Sequence, residues 1–253
     1  MATAERVSHV ETSDNWVLKR SQKAYYYAVD VVAGKTLEVG CGNAYAAQMI
    51  AKAVKELHIL DKFDTQNPAI SQITNLTFIQ ATVPPIPLPD NEVDFVISFQ
   101  LIEHIQEDEK LIAEIHRVLK KGGKFIVSTP NKLMSLSRNP WHIREYTPDE
   151  LKKALEVKFS FVDTKGVFGN EKAMEYYQQN KQSVAKFRKW DILGLENKLP
   201  AFMLQGIYDV LNRMNRKKLL EANQSLLNSI TIDDFLVKNV TNECLDLYYI
   251  ATK

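Results

Sequence analysis

A glycine-rich segment near the start of the chain carries the strongest chemical signal in the sequence. A short apolar run ends in Gly40, Cys41 and Gly42, and a helical pattern follows at once. Glycines let a backbone approach a ligand closely, and the N-terminus of the next helix carries partial positive charge. Glu38 lies just before them, where it would repel a pyrophosphate and attract a cationic amine. A plain strand-to-helix turn is the alternative, because glycine serves that purpose as well.

A second carboxylate stands at the end of the next apolar run. Asp61 follows Gly42 by nineteen residues, which is where a carboxylate in an α/β sheet accepts the two hydroxyls of an adenosyl ribose. A dinucleotide fingerprint would need a third glycine where this chain has Tyr45. The two carboxylates therefore favour an adenosyl ligand that carries an amine over a nicotinamide dinucleotide.

Polar and aromatic side chains also cluster in two later segments. His104 follows a predicted strand closely, and a loop before a capped helix contains Trp141, His142, Arg144 and Tyr146. Binding residues concentrate on loops held by a rigid scaffold. We predict that this loop lines a substrate pocket and that His104 and His142 are candidate general bases. The alternative is that these side chains orient or fasten the loops.

The elements that must position these residues alternate between strand and helix. Short apolar runs predict eight strands, at 36–39, 57–60, 77–79, 93–98, 125–127, 159–164, 235–240 and 244–251. Helical patterns separate most of them, which predicts βαβ units and a parallel sheet. From about residue 170 to 228 the pattern is helical without a strand. We therefore predict one α/β domain with a helical insertion before its last strands.

Composition excludes several classes of protein. The chain has 253 residues, a net charge of +1, 45% hydrophobic residues and 25% charged residues, as in a globular domain. The balanced charge gives no global drive toward nucleic acid. Two cysteines and the absence of HExxH or CxxC patterns predict neither a disulfide scaffold nor a metal site, and a reducing cytoplasm is expected. Neither a signal peptide nor a membrane span is predicted.

Taken together, the motifs resemble those of class I S-adenosylmethionine-dependent methyltransferases, the type-11 group in particular. The resemblance covers about residues 34 to 165 and is carried by Glu38 to Gly42, Asp61, Leu88 to Val96, Ile102 to Ile105, and Arg117 to Gly123. It implies a Rossmann-like, mostly parallel seven-stranded sheet with helices on both faces. The divisions expected are an N-terminal helical segment (1–33), a cofactor-binding core (34–169), a helical insertion (170–228) and final strands (229–253).

The resemblance also implies the cofactor, S-adenosylmethionine, and the residues that hold it. These are Glu38, Gly40, Cys41, Gly42, Asp61, Lys62, Phe63, Thr82, Phe99 and Gln100. The sequence departs from the family's motif at two positions. Ala44 stands where a third glycine is usual, and Thr82 stands where the family has the acidic residue that receives the adenine amino group.

The activity expected is methyl transfer by direct displacement to a small-molecule or lipid or glycan-precursor acceptor. The insertion would act as a substrate lid, although helical insertions equally form dimer interfaces. Its aromatic side chains include Tyr177, Phe187 and Trp190, and its basic clusters are either solvated or a site for an anionic or membrane-bound substrate. A non-catalytic binding module of the same fold is the alternative function, and a nicotinamide oxidoreductase is disfavoured.

Overall fold

A single mixed sheet forms the centre of the molecule. The computed structural model describes residues 11–188 and 198–253, so Trp190 of the predicted lid lies outside the described residues. The strands are β1 Lys35–Val39, β2 Glu56–Asp61, β3 Leu76–Gln80, β4 Val93–Phe99, β5 Leu119–Pro130, β6 Phe161–Gly169, β7 Phe235–Asn239 and β8 Asp246–Thr252. Their order across the sheet is β3-β2-β1-β4-β5-β8-β6-β7.

Six helices pack around this sheet and above one of its edges. They are α1 Asn15–Val29, α2 Ala47–Ala53, α3 Asp108–Val118, α4 Pro148–Glu156, α5 Glu171–Arg188 and α6 Ala201–Ser229, counting only the described part of the chain. The capped helix predicted after the loop with Tyr146 is confirmed as α4: Thr147 accepts from the backbone N–H of Glu150, and the Glu150 carboxylate accepts from that of Thr147. Such reciprocal capping is encoded locally.

The expectation of a seven-stranded sheet is wrong, because all eight strands that the pattern identifies join one sheet. β1 to β5 are parallel, whereas β8 pairs antiparallel with both β5 and β6, and β7 pairs antiparallel with β6. The chain leaves β6 through the insertion, returns along the outer side of β6 as β7, and then runs between β5 and β6. A strand pattern cannot encode this order, since it depends on which edges are open when the chain returns.

The sheet has a topological switch point between β1 and β4. From β1 the chain proceeds outward to β2 and β3, and then crosses to β4 on the other side of β1. Open α/β sheets bind ligands beyond the carboxyl ends of the strands at such a point. The glycine segment after β1 and the residues after β4 therefore meet at one place.

The insertion is tied to the core and to the loops at this carboxyl edge. Trp16 of α1 donates from Nε1 to the carbonyl of Ala173 in α5 at 2.9 Å. Trp141, in the loop after β5, donates to Asp209 of α6 at 3.0 Å. Tyr177 of α5 donates to the carbonyl of Met134 at 2.9 Å. These contacts place α5 and α6 above the carboxyl ends of the strands.

Candidate functional site

A cavity of about 1100 Å³ lies between the carboxyl edge of the sheet and the insertion. Its wall combines the glycine segment, the loop after β2, the residues after β4, the loop between β5 and α4, and faces of α1, α5 and α6. Gly40 and Asp61 line it together with Tyr208 and Asn212 of α6. One space therefore joins the predicted cofactor residues to the predicted lid.

The glycine segment forms a sharp turn that leads from β1 into the cavity wall. Gly40 and Gly42 have positive φ angles of 82° and 56°. A Cβ on Gly40 would lie 2.9 Å from two side-chain carbons of Leu101, whereas one on Gly42 would meet no atom within 4 Å. Ala44, at the place of the usual third glycine, also has a positive φ, of 54°. Packing against Leu101 thus explains the glycine at 40.

Glu38 is buried at the floor of this turn. The residue is only 2% exposed, and its Oε1 accepts a hydrogen bond of 2.7 Å from the hydroxyl of Tyr25. Its other oxygen, Oε2, has no hydrogen-bond partner among the described atoms. Burial raises the pKa of Glu38 to about 7, and the nearby charge of Asp61 adds to this while the Tyr25 hydroxyl opposes it. A buried oxygen without a partner is costly, so a donor that reached it would be stabilised there. Glu38 is not itself a wall residue of the cavity, but its neighbours Tyr25 and Gly40 are.

Asp61 faces the same turn from the end of β2. Oδ2 accepts from the backbone N–H of Gly42 at 2.9 Å, and Oδ1 accepts from that of Phe63 at 3.0 Å. These two bonds fix the orientation of the carboxylate between the two loops. Each oxygen can still accept a further hydrogen bond, so the group can bind a pair of adjacent hydroxyls.

The remaining residues predicted to hold the cofactor differ in their placement. Cys41, Phe63, Phe99 and Gln100 line the cavity. Lys62 lies outside the cavity wall with its ammonium 4.9 Å from the Phe63 ring centroid, and Thr82 is exposed and is also outside the wall.

Tyr25 of α1 is a wall residue that is not among the predicted site residues. Its ring packs edge-on against Phe99, with 4.8 Å between centroids, and its hydroxyl binds Glu38. The helical periodicity of α1 identified the buried face but could not show that its tyrosine meets β1.

The predicted substrate loop divides into two parts. His142 lines the cavity, whereas Trp141, Arg144 and Tyr146 do not. Arg144 pairs with Asp108 at 2.9 Å, and the hydroxyl of the buried Tyr146 donates to the same carboxylate. These two side chains attach the loop to α3. They therefore take the alternative role stated above, in which they hold the loop in place.

Two histidines and a glutamate come together where this loop meets the end of β4. Glu103 and His104 lie in a short 3-10 turn, Ile102–His104, and the rings of His104 and His142 pack edge-on with centroids 4.9 Å apart. Glu103 is buried, and Oε2 accepts from the hydroxyl of Thr129 at 2.9 Å. Burial raises the pKa of Glu103, while the two histidines act in the opposite direction. The sequence analysis selected both histidines as candidate bases but did not select Glu103.

Related proteins of known family show where this chain belongs. The family described as "Methyltransferase domain" matches residues 37–127. An S-adenosylmethionine-dependent methyltransferase of Mycolicibacterium smegmatis is 34% identical over 174 residues, which are 66% of this chain and 68% of the relative. One from Mycobacterium tuberculosis is 35% identical over 64% of this chain and 61% of its own length. The chain belongs to the S-adenosylmethionine-dependent methyltransferases.

Solved structures show the same fold at lower identity. The YcgJ protein of Bacillus subtilis superposes with a TM-score of 0.57 at 17% identity, covering 92% of this chain and 98% of that one. The cyclase SpnF has a TM-score of 0.57 at 17% identity, covering 93% and 81%. One fold therefore accompanies different chemistry, and the residues of the site must carry the functional argument. None of the helices in 11–188 and 198–253 has the length and hydropathy that crossing a bilayer requires.

The cavity of this methyltransferase fits S-adenosylmethionine chemically. The unpartnered Oε2 of Glu38 suits an ammonium group, and the fixed carboxylate of Asp61 suits a pair of ribose hydroxyls. Glu38 lies in β1 and Asp61 at the end of the neighbouring β2, beside the switch point, and Asp61 lines the cavity.

Proposed function

We propose that this methyltransferase holds S-adenosylmethionine with Glu38, Asp61 and the glycine segment, and methylates a small-molecule acceptor bound beneath α5 and α6. The acceptor would be a lipid or a glycan precursor that carries an apolar portion. The buried, unpartnered oxygen of Glu38, which lies next to the wall residues Tyr25 and Gly40, is the observation that carries the cofactor assignment. When bound, S-adenosylmethionine supplies a methyl group on a sulfonium, which is already activated for direct displacement.

The protein's own residues would align the acceptor and exclude water. The insertion, residues 170–228, supplies the upper wall of the cavity through Tyr176, Tyr177, Tyr208 and Asn212. Holding two reactants in one orientation is a large part of catalysis for such a transfer. His104 and His142 are both in the wall and remain our candidates for accepting a proton from the acceptor. Two buried, unbridged cysteines suit the cytoplasmic location that we include in the proposal.

The cofactor assignment predicts a particular pH dependence of binding. The pKa of Glu38 is raised to about 7 in the free protein, and only its ionised form pairs with an ammonium. Affinity for the product S-adenosylhomocysteine should therefore be full above pH 7 and fall by up to about tenfold per pH unit below it. Isothermal titration calorimetry from pH 5.5 to 8.5 measures this.

Two variants control the pH experiment. Glu38→Gln should bind about tenfold more weakly at pH 8 and lose the dependence below pH 7, because it cannot ionise. Glu109→Gln, at an exposed position of α3, should behave as the wild type. An unchanged slope in Glu38→Gln would refute the ammonium assignment. Stabilisation by NAD instead, in a thermal shift, would favour the oxidoreductase, and binding without turnover would favour the non-catalytic module.

An exposed apolar face of α6 is the reason for proposing an acceptor with an apolar portion. Its exposed side chains include Met203, Ile207, Val210, Leu211 and Met214, whose spacing places them on one helical face. Ile207 and Leu211 also belong to the cavity wall, so the apolar face continues into the site. The exposed Lys217 and Lys218 follow along the helix and suit a lipid with an anionic headgroup. The alternative is that a second copy of the chain binds to this face.

We expect labelled methyl groups to enter the organic phase when the protein is given S-adenosylmethionine labelled on its methyl group and a cellular lipid extract. Ile207→Asp should reduce this labelling at least about tenfold, because a charge on the apolar face opposes lipid binding by more than 1.4 kcal/mol. The control Val157→Asp changes an exposed apolar residue outside the cavity wall and should have no effect. Label confined to the aqueous fraction, or a dimer that Ile207→Asp dissociates, would contradict the lipid proposal.

A further inference from the structure

Glu103, His104 and His142 form a compact set of potential metal ligands in the cavity wall. One ligand atom from each residue lies within 4.8 Å of the other two. Glu103 and His104 are adjacent in the turn after β4, while His142 comes from the loop before α4. All three line the cavity described above.

Outer hydrogen bonds orient both imidazole rings. Nδ1 of His104 lies 2.9 Å from the carbonyl oxygen of Trp141, and Nδ1 of His142 lies 2.7 Å from Oε1 of Glu145. A carbonyl and a carboxylate oxygen can only accept, so each Nδ1 carries the proton and each Nε2 carries the lone pair. Metal-binding histidines in proteins are held in this way, by an acceptor on the nitrogen away from the metal.

Glu103 supplies the independent observation that a ligand belongs here. The residue is 1% exposed, and although Oε2 accepts from Thr129, Oε1 has no hydrogen-bond partner among the described atoms. A buried carboxylate oxygen left unpaired is strongly unfavourable. A cation shared with the two imidazoles would satisfy it.

We propose that these three residues bind a divalent transition cation of the zinc type. Two imidazoles and one carboxylate suit such a cation, and three protein ligands leave coordination positions open to the cavity. Asn139 donates from Nδ2 to Nε2 of His142 at 2.9 Å, and the cation would replace this donor. The sequence analysis predicts no metal site, because His104 and His142 are 38 residues apart and match no metal-binding spacing.

The role of the cation rests on the proposed function. A metal ion among the acceptor-facing residues would hold an oxygen of the acceptor and lower the pKa of a hydroxyl group bound to it. The acceptor class would then be a hydroxyl compound, and the product a methyl ether. The proton released from the hydroxyl would pass to solvent, because the cation would occupy the Nε2 lone pairs of His104 and His142 and so remove them as candidate bases.

Cobalt(II) alone is the probe for the site, because its visible spectrum reports on coordination. Tag-free protein dialysed against EDTA and then against buffer should bind one equivalent of CoCl2. Glu103→Gln, His104→Ala and His142→Ala should each weaken this binding at least about tenfold. His58→Ala is the matched control, since His58 forms a 2.6 Å pair with the Glu56 carboxylate but belongs to no three-ligand cluster within the described residues. It should bind Co²⁺ as the wild type does.

S-adenosylhomocysteine binding, measured without metal, separates this proposal from the cofactor assignment. Wild-type protein that binds S-adenosylhomocysteine but no Co²⁺, or cluster variants that bind Co²⁺ unchanged, would overturn the metal site. Co²⁺ binding without S-adenosylhomocysteine binding would support the metal site and overturn the cofactor assignment. If the variants do not fold, X-ray absorption of the wild-type cobalt complex decides: two imidazole ligands support the site, and fewer refute it.

Discussion

Asp61→Ala is expected to weaken S-adenosylhomocysteine binding by about 2 kcal/mol, roughly thirtyfold, as measured by calorimetry. The change removes a charged acceptor whose two oxygens are fixed by the backbone N–H groups of Gly42 and Phe63. Because those bonds also hold the two loops together, the loss combines ligand contacts with loop order. The effect should be the largest of any single side-chain change at the ribose end.

A neighbouring aspartate controls for loop order. Asp64 lies in the same loop and accepts from the backbone N–H of Gln66 at 3.3 Å, but it is not at the end of β2. Asp64→Ala should change the affinity less than about threefold. Asp61→Asn keeps an acceptor oxygen but loses the charge. Its affinity for S-adenosylhomocysteine should therefore lie between those of the wild type and Asp61→Ala. Equal affinity for wild type and Asp61→Ala would refute the ribose assignment.

Trp16→Ala is expected to lower the free energy of unfolding by about 3–5 kcal/mol, the range for removing a buried aromatic side chain. Trp16 is buried against Tyr176, Tyr177 and Phe235, with ring centroids 5.8, 6.4 and 5.8 Å away. It also donates to the Ala173 carbonyl. The indole thus joins α1, the insertion and β7 in one core. Urea unfolding followed by circular dichroism measures the loss.

The same experiment tests whether the insertion is a separate unit. A shared core predicts one cooperative transition for wild type and variant. Tyr26→Ala, at a half-exposed position on the same helix, should change the unfolding free energy by less than about 0.5 kcal/mol. A first transition that removes helical signal while the sheet remains would show that α5 and α6 unfold independently, contrary to this expectation.

Several features of this methyltransferase were determined by the sequence because their causes are local. The alternation of apolar strands and helical stripes predicted the α/β class, since each pattern reflects the faces that one element buries. The capping box of α4 needs only residues Thr147 to Glu150. The glycine turn and Asp61 come at strand ends, and parallel strands bring their carboxyl ends to one edge. Their juxtaposition therefore followed from the fold class.

Other features were decided only by tertiary structure. The entry of β8 between β5 and β6 and the pairing of β7 with the outer edge of β6 both depend on open sheet edges. With β7 included the sheet has eight strands, so the count of seven was wrong. Arg144 and Tyr146 turned toward Asp108 of α3 instead of the cavity, because a buried carboxylate there needed partners. Glu103 and His142 are 39 residues apart, and only the packing of two loops brings them together. Spacing along the chain shows on which face of its own helix or strand a side chain lies. Contacts between different helices, strands and loops depend on how the whole chain packs.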